Sequence, residues 1–434
     1  MRYFFVFFFV LFELSAVAAV KNVIFMIGDG MGYNQIHIAQ ELLEKKLFLT
    51  TLPISGIVFT SSANNRVTDS AAAGTALATA HKTNNQRVGK NPQDQILPTL
   101  LEKFKKAGKR IGLVTTTSLT DATPAAFAAH VADRKEHLLI AQWILKNQVD
   151  LLLGGGRKYF LPLLPQFKKQ KYEILTSTDE LSHILPLKNK KLLGLFQEDY
   201  LNYEIDREEL PGMKEEPSLS QMTKSALHYL KDSPKGFFLM IEGGKIDHSA
   251  HELDLATLAR EVLEFDQAIQ AVYAFAKKRK DTLIVVTADH ETSALGLVEA
   301  TDISYLKSLH VSAHYMIQQF QKDTSGVFTE ESIRSTLKDH AYFSDVPPEE
   351  IQMLQKMSDD SIHDAAVVLG SFIAKRAHVV SVSLKMIRTG NTHGHSSMPV
   401  PVFSFGPGAS LFTGTMDNTA IPLKIASLTH VSLH

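Results

Sequence analysis

Short apolar segments alternate with longer amphipathic stretches along most of the chain. Runs rich in Val, Ile, Leu and Phe are typical of buried strands, and they occur at residues 23–27, 111–115, 151–153, 237–241, 283–287 and 400–405. Apolar residues three or four positions apart instead predict helices at residues 97–107, 137–146, 221–231 and 255–277. Strands that alternate with helices predict an α/β fold with a central, mostly parallel sheet and helices on both faces.

Several of the predicted strands end in polar residues. Asp29 comes shortly after the first predicted strand, and Glu242 directly after the fourth. Asp289 and His290 follow the fifth. Open α/β sheets bind ligands beyond the carboxyl ends of their strands, so these side chains predict one shared site.

The N-terminal residues have the pattern of a secretory signal peptide. An apolar run at residues 3–12 follows Arg2, and small residues follow at 15–19. We therefore assign residues 1–19 to a signal peptide cut near Ala18 or Ala19, and residues 20–434 to the folded domain. The alternatives are an uncleaved membrane anchor and a buried strand. Glu13 disfavours the anchor, because a carboxylate is costly inside a bilayer, and we expect export to a periplasm or to the exterior.

The regular alternation stops between about residues 301 and 389. This segment has helical patterns, a break at Pro347-Pro348 and no acidic cluster suited to chemistry. We interpret it as an insertion that forms either a cap over the site or a dimer contact.

Composition limits the chemistry that this chain can perform. The 434 residues carry a formal net charge of −1, which gives no indication of a nucleic-acid partner. There is no cysteine, so a transition metal would have to bind Asp, Glu and His.

Three pairs of residues have spacings that suit metal binding: Asp247 with His251, Asp289 with His290, and His393 with His395. Asp247 and His251 would share one face of a helix that begins near Asp247. A single Asp-His pair is usually solvated or packed. Together with the strand-end pattern, however, the pairs predict a site for several metal ions.

Ser70 is the candidate nucleophile. It precedes a run of small residues that favours a helix, and the N-terminus of a helix suits a phosphate group. Taken alone, the same pattern more often marks a simple N-cap serine.

Seven motifs stand out along the chain: Gly28-Asp29-Gly30-Met31-Gly32, Thr68-Asp69-Ser70-Ala71, Asp121-Ala122-Thr123-Pro124, Glu242-Gly243-Gly244, Asp247-His248, Thr287-Ala288-Asp289-His290 and Gly406-Pro407. They resemble the motifs of the alkaline phosphatase family, in that family's order, from residue 21 nearly to the C-terminus. The resemblance implies an exported, bacterial-type phosphomonoesterase with an alkaline-phosphatase-like fold, two zinc ions and one magnesium ion. It also implies small phosphomonoester substrates and a homodimer.

The resemblance also implies a role for each site residue. Its ligand sets are Asp247, His251 and His395 for the first zinc, Asp29, Asp289 and His290 for the second, and Asp29, Asp121, Thr123 and Glu242 for magnesium. His395 is preferred to His393 because the family's ligand lies eleven residues before the glycine that corresponds to Gly406. Ser396-Ser397 departs from the family's usual sequence after that ligand.

The remaining roles concern the phosphate group. Ser70 would be the nucleophile beside the second zinc, Arg134 would bind two phosphate oxygens, and His248 would lie near the phosphate and magnesium. The implied mechanism has two displacements, with a phosphoserine between them.

Two alternatives stay open at this point. A phosphodiesterase, sulfatase or mutase of the same superfamily would use a similar two-metal core, but such relatives generally lack the complete magnesium set and diesterases usually have Thr in place of Ser70. A phosphate-binding or metal-storage protein that has lost catalysis is disfavoured, because the nucleophile, the ligands and Arg134 are all present.

Overall fold

The computed structural model describes residues 19–184, 190–383, 392 and 394–433. Residues 1–18 of the predicted signal peptide, residues 384–389 of the predicted insertion and His393 lie outside the described residues. Within those ranges, no helix has both the length and the apolar character needed to cross a bilayer.

Among the described residues, ten strands form one large sheet and two short strands form another. In chain order the strands are β1 (Asn22–Gly28), β2 (Ile54–Phe59), β3 (Arg110–Ser118), β4 (Leu151–Gly155), β5 (Tyr172–Leu175), β6 (Lys191–Leu195), β7 (Phe237–Gly243), β8 (Thr282–Thr287), β9 (Glu291–Thr292), β10 (His395–Ser396), β11 (Val400–Phe405) and β12 (Gly414–Asp417). β9 and β10 form the small antiparallel sheet.

The large sheet has the order β12-β2-β11-β8-β1-β7-β3-β4-β6-β5. β11 runs antiparallel to both of its neighbours, and every other pairing in this sheet is parallel. The mostly parallel α/β sheet predicted from the sequence is therefore confirmed. The six predicted strands are β1, β3, β4, β7, β8 and β11. Sequence reasoning missed β2, β5, β6 and β12, which occupy the outer two places at each edge.

Eighteen α-helices lie within the described ranges. They are α1 (Tyr33–Leu43), α2 (Ser70–Thr79), α3 (Leu100–Lys106), α4 (Ala122–Ala128), α5 (His137–Asn147), α6 (Arg157–Phe160), α7 (Leu164–Lys169), α8 (Thr178–Ser182), α9 (Glu204–Glu209), α10 (Leu219–Leu230), α11 (Lys245–His251), α12 (Leu255–Ala276), α13 (Ile303–Ser308), α14 (Ala313–Gln318), α15 (Glu330–His340), α16 (Pro348–Lys356), α17 (Ile362–Arg376) and α18 (Ala420–Thr429). Short 3₁₀ helices occur at Phe48–Thr51, Leu161–Leu163, Pro211–Met213 and Ala409–Phe412.

Local sequence explains where these elements begin. All seven residues of β1 are buried, as expected for a strand at the centre of a covered sheet. The helix predicted at 97–107 begins only at Leu100, because Thr99 caps it. The Thr99 hydroxyl accepts from the backbone N–H of Glu102, and the Glu102 carboxylate accepts from the backbone N–H of Thr99.

Two layers of helices cover the sheet. α1 and α10 pack against α12, which lies on β1, β7 and β8. α2, α3 and α5 pack against α4, which lies with α3 on β3 and β7. The central strands are thereby buried on both faces, and their carboxyl ends are left as the place where polar side chains can collect.

The predicted insertion contains α13 to α17 and lies between β9 and β10. α17 packs against α14 and α16, and α13 packs against α1 and α12 of the main body. The segment is therefore helical, as its sequence pattern predicts.

Candidate active site

The order of four parallel strands explains how residues that are distant in sequence meet. β8, β1, β7 and β3 are successive neighbours, so their carboxyl ends share one edge of the sheet. The predicted ligands at that edge are, in the same order, Asp289 and His290, then Asp29, then Glu242, then Asp121 and Thr123.

Asp247, His251 and His395 form one compact group. Asp247 and His251 lie one turn apart on α11, and His251 Nε2 is 3.3 Å from Asp247 Oδ2. His395 Nε2 is 3.0 Å from His251 Nε2 and 3.7 Å from Asp247 Oδ1. Two donor atoms bound to the same tetrahedral zinc ion lie about 3.3 Å apart, so the spacing of these side chains suits one shared cation.

The orientation of His395 is set by its other ring nitrogen. His395 Nδ1 donates to the carbonyl oxygen of Thr68 at 2.9 Å, which turns Nε2 toward His251. The ring of His395 stacks on that of His290 with centroids 3.6 Å apart. Burial, together with His290, lowers the pKa of His395 well below its usual value. The neutral imidazole that results is the form that binds metals.

A second group surrounds His290. Its Nε2 is 3.4 Å from Asp29 Oδ1, 3.2 Å from Asp289 Oδ2 and 3.2 Å from the hydroxyl of Ser70. Ligand atoms of Asp29, Asp247 and His290 all lie within 4.8 Å of one another. Asp247 therefore lies close to both groups, although the sequence assigned it to only one.

Buried carboxylates at this edge repel one another. Burial, and then the charges of Asp289 and Asp247, raises the pKa of Asp29 well above its usual value. Burial likewise raises the pKa of Glu242 to about 8. Asp29 Oδ1 and Asp289 Oδ2 have no hydrogen-bond partner among the described residues. Buried carboxylate oxygens that repel one another and accept no hydrogen bond are suited to a bound cation, so the donor set fits metal ions.

The third predicted set is less compact. Thr123 donates to Asp29 Oδ2 at 3.2 Å, whereas Asp121 Oδ1 accepts from Arg134 Nη2 at 3.0 Å. Within the described ranges, no group of three acids or histidines at ligand distance includes Asp121 or Glu242. These oxygen atoms suit magnesium by type, but they are more dispersed than the two histidine-containing groups.

Ser70 is the first residue of α2, and its side chain is buried beside the second group. The preceding residue, Asp69, caps the helix by accepting from the backbone N–H of Ala72 at 2.9 Å. The same carboxylate accepts from the N–H of Gln86 at 2.8 Å. The capping role that the sequence left open for Ser70 therefore belongs to Asp69, and the Ser70 hydroxyl faces His290 at the positive end of the helix.

Arg134 lines the same cavity as Ser70. Its guanidinium contacts Asp121 and lies 3.7 Å from Asp69 Oδ2. Although burial opposes the charged form, these two carboxylates raise the pKa of Arg134. The backbone N–H of Arg134 donates to the carbonyl oxygen of Gln86 at 2.9 Å, which joins its loop to the segment that contacts Asp69.

His248 lies on α11 and lines the same cavity as Ser70 and Arg134. Its ring meets that of Tyr200 edge to face, with centroids 4.8 Å apart. Burial, and then the charge of Lys245, lowers the pKa of His248 to about 3. His248 is therefore a neutral imidazole at physiological pH.

The cavity has a volume of about 1090 Å³ and extends from Ser70 to the insertion. His314 of α14 and His363 of α17 line its far side. Both approach the buried carboxylate of Glu252, at 3.5 and 2.8 Å. The insertion thus forms part of the wall of the site, whereas its predicted role as a dimer contact stays a prediction.

Several residues that shape the site were missed by sequence reasoning. Thr115 and Thr117 donate to the Glu242 carboxylate, and Thr292 donates to Asp247 Oδ1 at 2.5 Å. The sequence holds no signal for them, because neutral hydroxyl groups in strands are common and only the sheet register decides which carboxylate they meet.

The known proteins that resemble this chain in sequence and in structure include alkaline phosphatases. The family model for alkaline phosphatase matches residues 20–431. Alkaline phosphatase 4 of Bacillus subtilis (strain 168) is 34% identical over 421 residues, which cover 93% of this chain and 87% of that protein.

Two similar solved structures extend the comparison. The cold-active alkaline phosphatase of a psychrophilic Shewanella sp. has a TM-score of 0.80 at 32% identity and covers 94% of this chain and 99% of its own. A mutant of the alkaline phosphatase from the Antarctic bacterium TAB5, with Mg bound in its M3 site, has a TM-score of 0.67 at 27% identity and covers 95% and 99%.

Proposed function

The chain belongs to the alkaline phosphatase family, and we propose that it hydrolyses phosphate monoesters to an alcohol and inorganic phosphate through a phosphoserine on Ser70. The observation that carries this proposal is the position of the Ser70 hydroxyl. It lies at the N-terminus of α2, 3.2 Å from His290 Nε2, in a cavity that Arg134, Asp247, His251 and His395 also line.

We propose that the site holds two zinc ions and one magnesium ion. The first zinc would bind Asp247, His251 and His395, the second Asp29, Asp289 and His290 beside the Ser70 hydroxyl, and magnesium Asp29, Asp121, Thr123 and Glu242. When bound, these ions would supply Lewis-acid chemistry, lowering the pKa of the serine hydroxyl and of water and neutralising phosphate charge. The Mg in the M3 site of the TAB5 mutant supports a magnesium ion in this family.

The protein's own residues would perform two displacements at phosphorus. In the first, Ser70 Oγ loses its proton and forms a bond to phosphorus, while the bond to the alcohol oxygen breaks and that oxygen gains a proton. In the second, a water oxygen loses a proton and bonds to phosphorus, the bond from phosphorus to Ser70 Oγ breaks, Oγ regains a proton and inorganic phosphate leaves. Arg134 would donate two hydrogen bonds to phosphate oxygens, because its planar guanidinium matches their spacing. The N-terminus of α2 would add positive potential at the same point.

Removal of the Ser70 hydroxyl tests the proposal. Ser70→Ala, loaded with zinc and magnesium, is expected to lose nearly all turnover of p-nitrophenyl phosphate. Ser182→Ala, which removes an exposed hydroxyl elsewhere, is the matched control and should keep wild-type turnover. Equal rates for Ser70→Ala and wild type would remove Ser70 from the mechanism.

A second substrate separates the monoesterase from its superfamily alternative. The wild-type protein is expected to hydrolyse p-nitrophenyl phosphate much faster than bis(p-nitrophenyl) phosphate. A preference for the diester would favour a phosphodiesterase instead.

Export and assembly belong to the same proposal. We propose that residues 1–19 direct secretion and are removed, and that the mature chain forms a homodimer. The apolar run at 3–12 followed by small residues supports secretion. N-terminal sequencing of the mature protein and its mass in solution would test the two points.

A further inference from the structure

Glu291 follows the predicted ligand His290 directly and is almost completely buried. Its Oε1 accepts from Gln35 Nε2 at 2.7 Å, and its Oε2 accepts from the hydroxyl of Ser396. The backbone N–H of Ala294 also donates to Oε2, at 3.3 Å. A buried carboxylate with three donors around it is fixed in place more firmly than a solvated one.

Each partner in this network lies on a different ligand-bearing segment. Gln35 is in the first turn of α1, shortly after Asp29. Glu291 begins β9, after His290, and Ser396 ends β10, after His395. Three chain segments that each carry predicted metal ligands are therefore joined through one carboxylate.

Backbone pairing reinforces the same junction. In the small sheet, Ser396 pairs with Glu291 and His395 pairs with Thr292. Gln35 Nε2 also lies 2.6 Å from the carbonyl oxygen of Thr292. A side chain at Gly32 would come within 2.4 Å of Glu291 Cγ, so α1 approaches this carboxylate as closely as glycine allows.

We propose that Gln35, Glu291 and Ser396 are positioning residues that set the distance of His395 from His251 and His290, and thereby the affinity of the site for zinc. The inference rests on the proposed function only in taking His395 as a zinc ligand. Hydrogen-bonding partners outside the ligand shell orient metal ligands, and losing them typically costs about 10- to 100-fold in metal affinity. The departure from the family's usual sequence at Ser396 thus supplies the donor that holds β10 against β9.

A purely structural tether would behave differently. It would change the temperature of unfolding but not the affinity of the folded protein for zinc. The two roles are therefore separable by measuring metal binding directly, without substrate.

The experiment compares Ser396→Ala, Ser396→Thr and the exposed neighbour Ser397→Ala. Metal-free protein is titrated with Zn²⁺ against a chelator of known affinity, and Co²⁺-loaded protein is examined by visible absorption, which reports ligand geometry. Ser396→Ala is expected to bind zinc about 10-fold or more weakly and to change the Co²⁺ spectrum. Ser396→Thr, which keeps the hydroxyl, and Ser397→Ala are expected to match wild type.

Glu291→Gln keeps the test decisive if Ser396→Ala does not fold. Its amide nitrogen is a donor, so it cannot accept from the backbone N–H of Ala294 or from the Ser396 hydroxyl as that hydroxyl now points, and zinc affinity is expected to fall here as well. Wild-type zinc affinity in every folded variant of Ser396 and Glu291 would overturn the proposal. A loss of zinc affinity in a protein that hydrolyses no phosphate ester would uphold the network while contradicting the proposed function.

Discussion

Arg134 contacts Asp121 and lies near Asp69, so its guanidinium is oriented without a bound phosphate. We predict that Arg134→Lys lowers kcat/KM for p-nitrophenyl phosphate about 10- to 100-fold. An ammonium group cannot donate two parallel hydrogen bonds, and a hydrogen bond to a charged group contributes about 1.5–3 kcal/mol. Steady-state kinetics and inhibition by inorganic phosphate would measure the loss.

Arg157→Lys is the matched control for this substitution. Arg157 pairs with Glu198 at 2.6 Å near the rim of the cavity, and lysine can keep that ion pair. It should leave kcat/KM within about twofold of wild type, since exposed ion pairs contribute little. A similar loss in both variants would mean that Arg134 has no special role in binding phosphate.

Glu261 is a buried acid outside the metal site whose burial raises its pKa to about 8. In an unfolded chain, a glutamate side chain has a pKa of about 4.3. Between those pH values unfolding releases a proton, so the folded state loses stability as the pH rises through this window. Glutamine at this position has no proton to lose.

We therefore predict that Glu261→Gln is stabilised relative to wild type at pH 9 by about 1 kcal/mol or more, and much less at pH 5. Thermal unfolding at both pH values measures the difference. An equal change in melting temperature at pH 5 and pH 9 would show that Glu261 does not titrate in this range.

From the sequence, individual site residues could be predicted only where a side chain suited to metal binding or catalysis follows a predicted buried strand. Asp29 and Asp289 were predictable because they follow buried strands. Thr115 and Thr292 were not, because their contacts depend on which strand lies alongside. Asp247 lies near both groups of candidate metal ligands because α11 packs against β9, a contact that no local sequence pattern encodes.

At the scale of elements, Gly370 shows how closely the insertion packs on the body. A Cβ at this position of α17 would come within 1.8 Å of the carbonyl oxygen of Glu252, just after α11. We predict that Gly370→Ala destabilises the protein by about 1–3 kcal/mol, as overpacking does. It should also raise KM, because α17 carries His363 in the cavity wall.

Ser371→Ala is the control for Gly370→Ala, since it changes the next residue of the same helix without adding volume. Chemical denaturation and steady-state kinetics would test both variants. Wild-type stability of Gly370→Ala would mean that α17 can move away from Glu252 at no cost.

The central strands were predictable and the outer ones were not, for a physical reason. β1, β7 and β8 are buried on both faces and read as continuous apolar runs. β2 is partly exposed along most of its length, and β12 has only four residues. A strand that is partly exposed or very short has a sequence that differs less from that of a loop, which accounts for β2 and β12.

For the whole molecule, we expect the buried carboxylates at the sheet edge to make stability depend on metal. Cations that bind only the folded state stabilise it by about 2.7 kcal/mol at a concentration 100 times the dissociation constant. We predict that chelation lowers the melting temperature and that zinc with magnesium restores it. The stabilisation by metal should grow with pH. Because the pKa values of Asp29 and Glu242 are raised, these groups lose protons as the pH rises, and the repulsion between their charges then increases unless cations are bound. Identical melting with and without metal would contradict this expectation.

The proposed function requires residues from Asp29 to His395 to form one metal site around the Ser70 hydroxyl. Anomalous diffraction at the zinc absorption edge, on crystals of the zinc-loaded protein, would locate the bound ions. We expect one peak among Asp247, His251 and His395, and a second among Asp29, Asp289 and His290 beside Ser70. Zinc-saturated crystals without a peak at either position would contradict the proposed function.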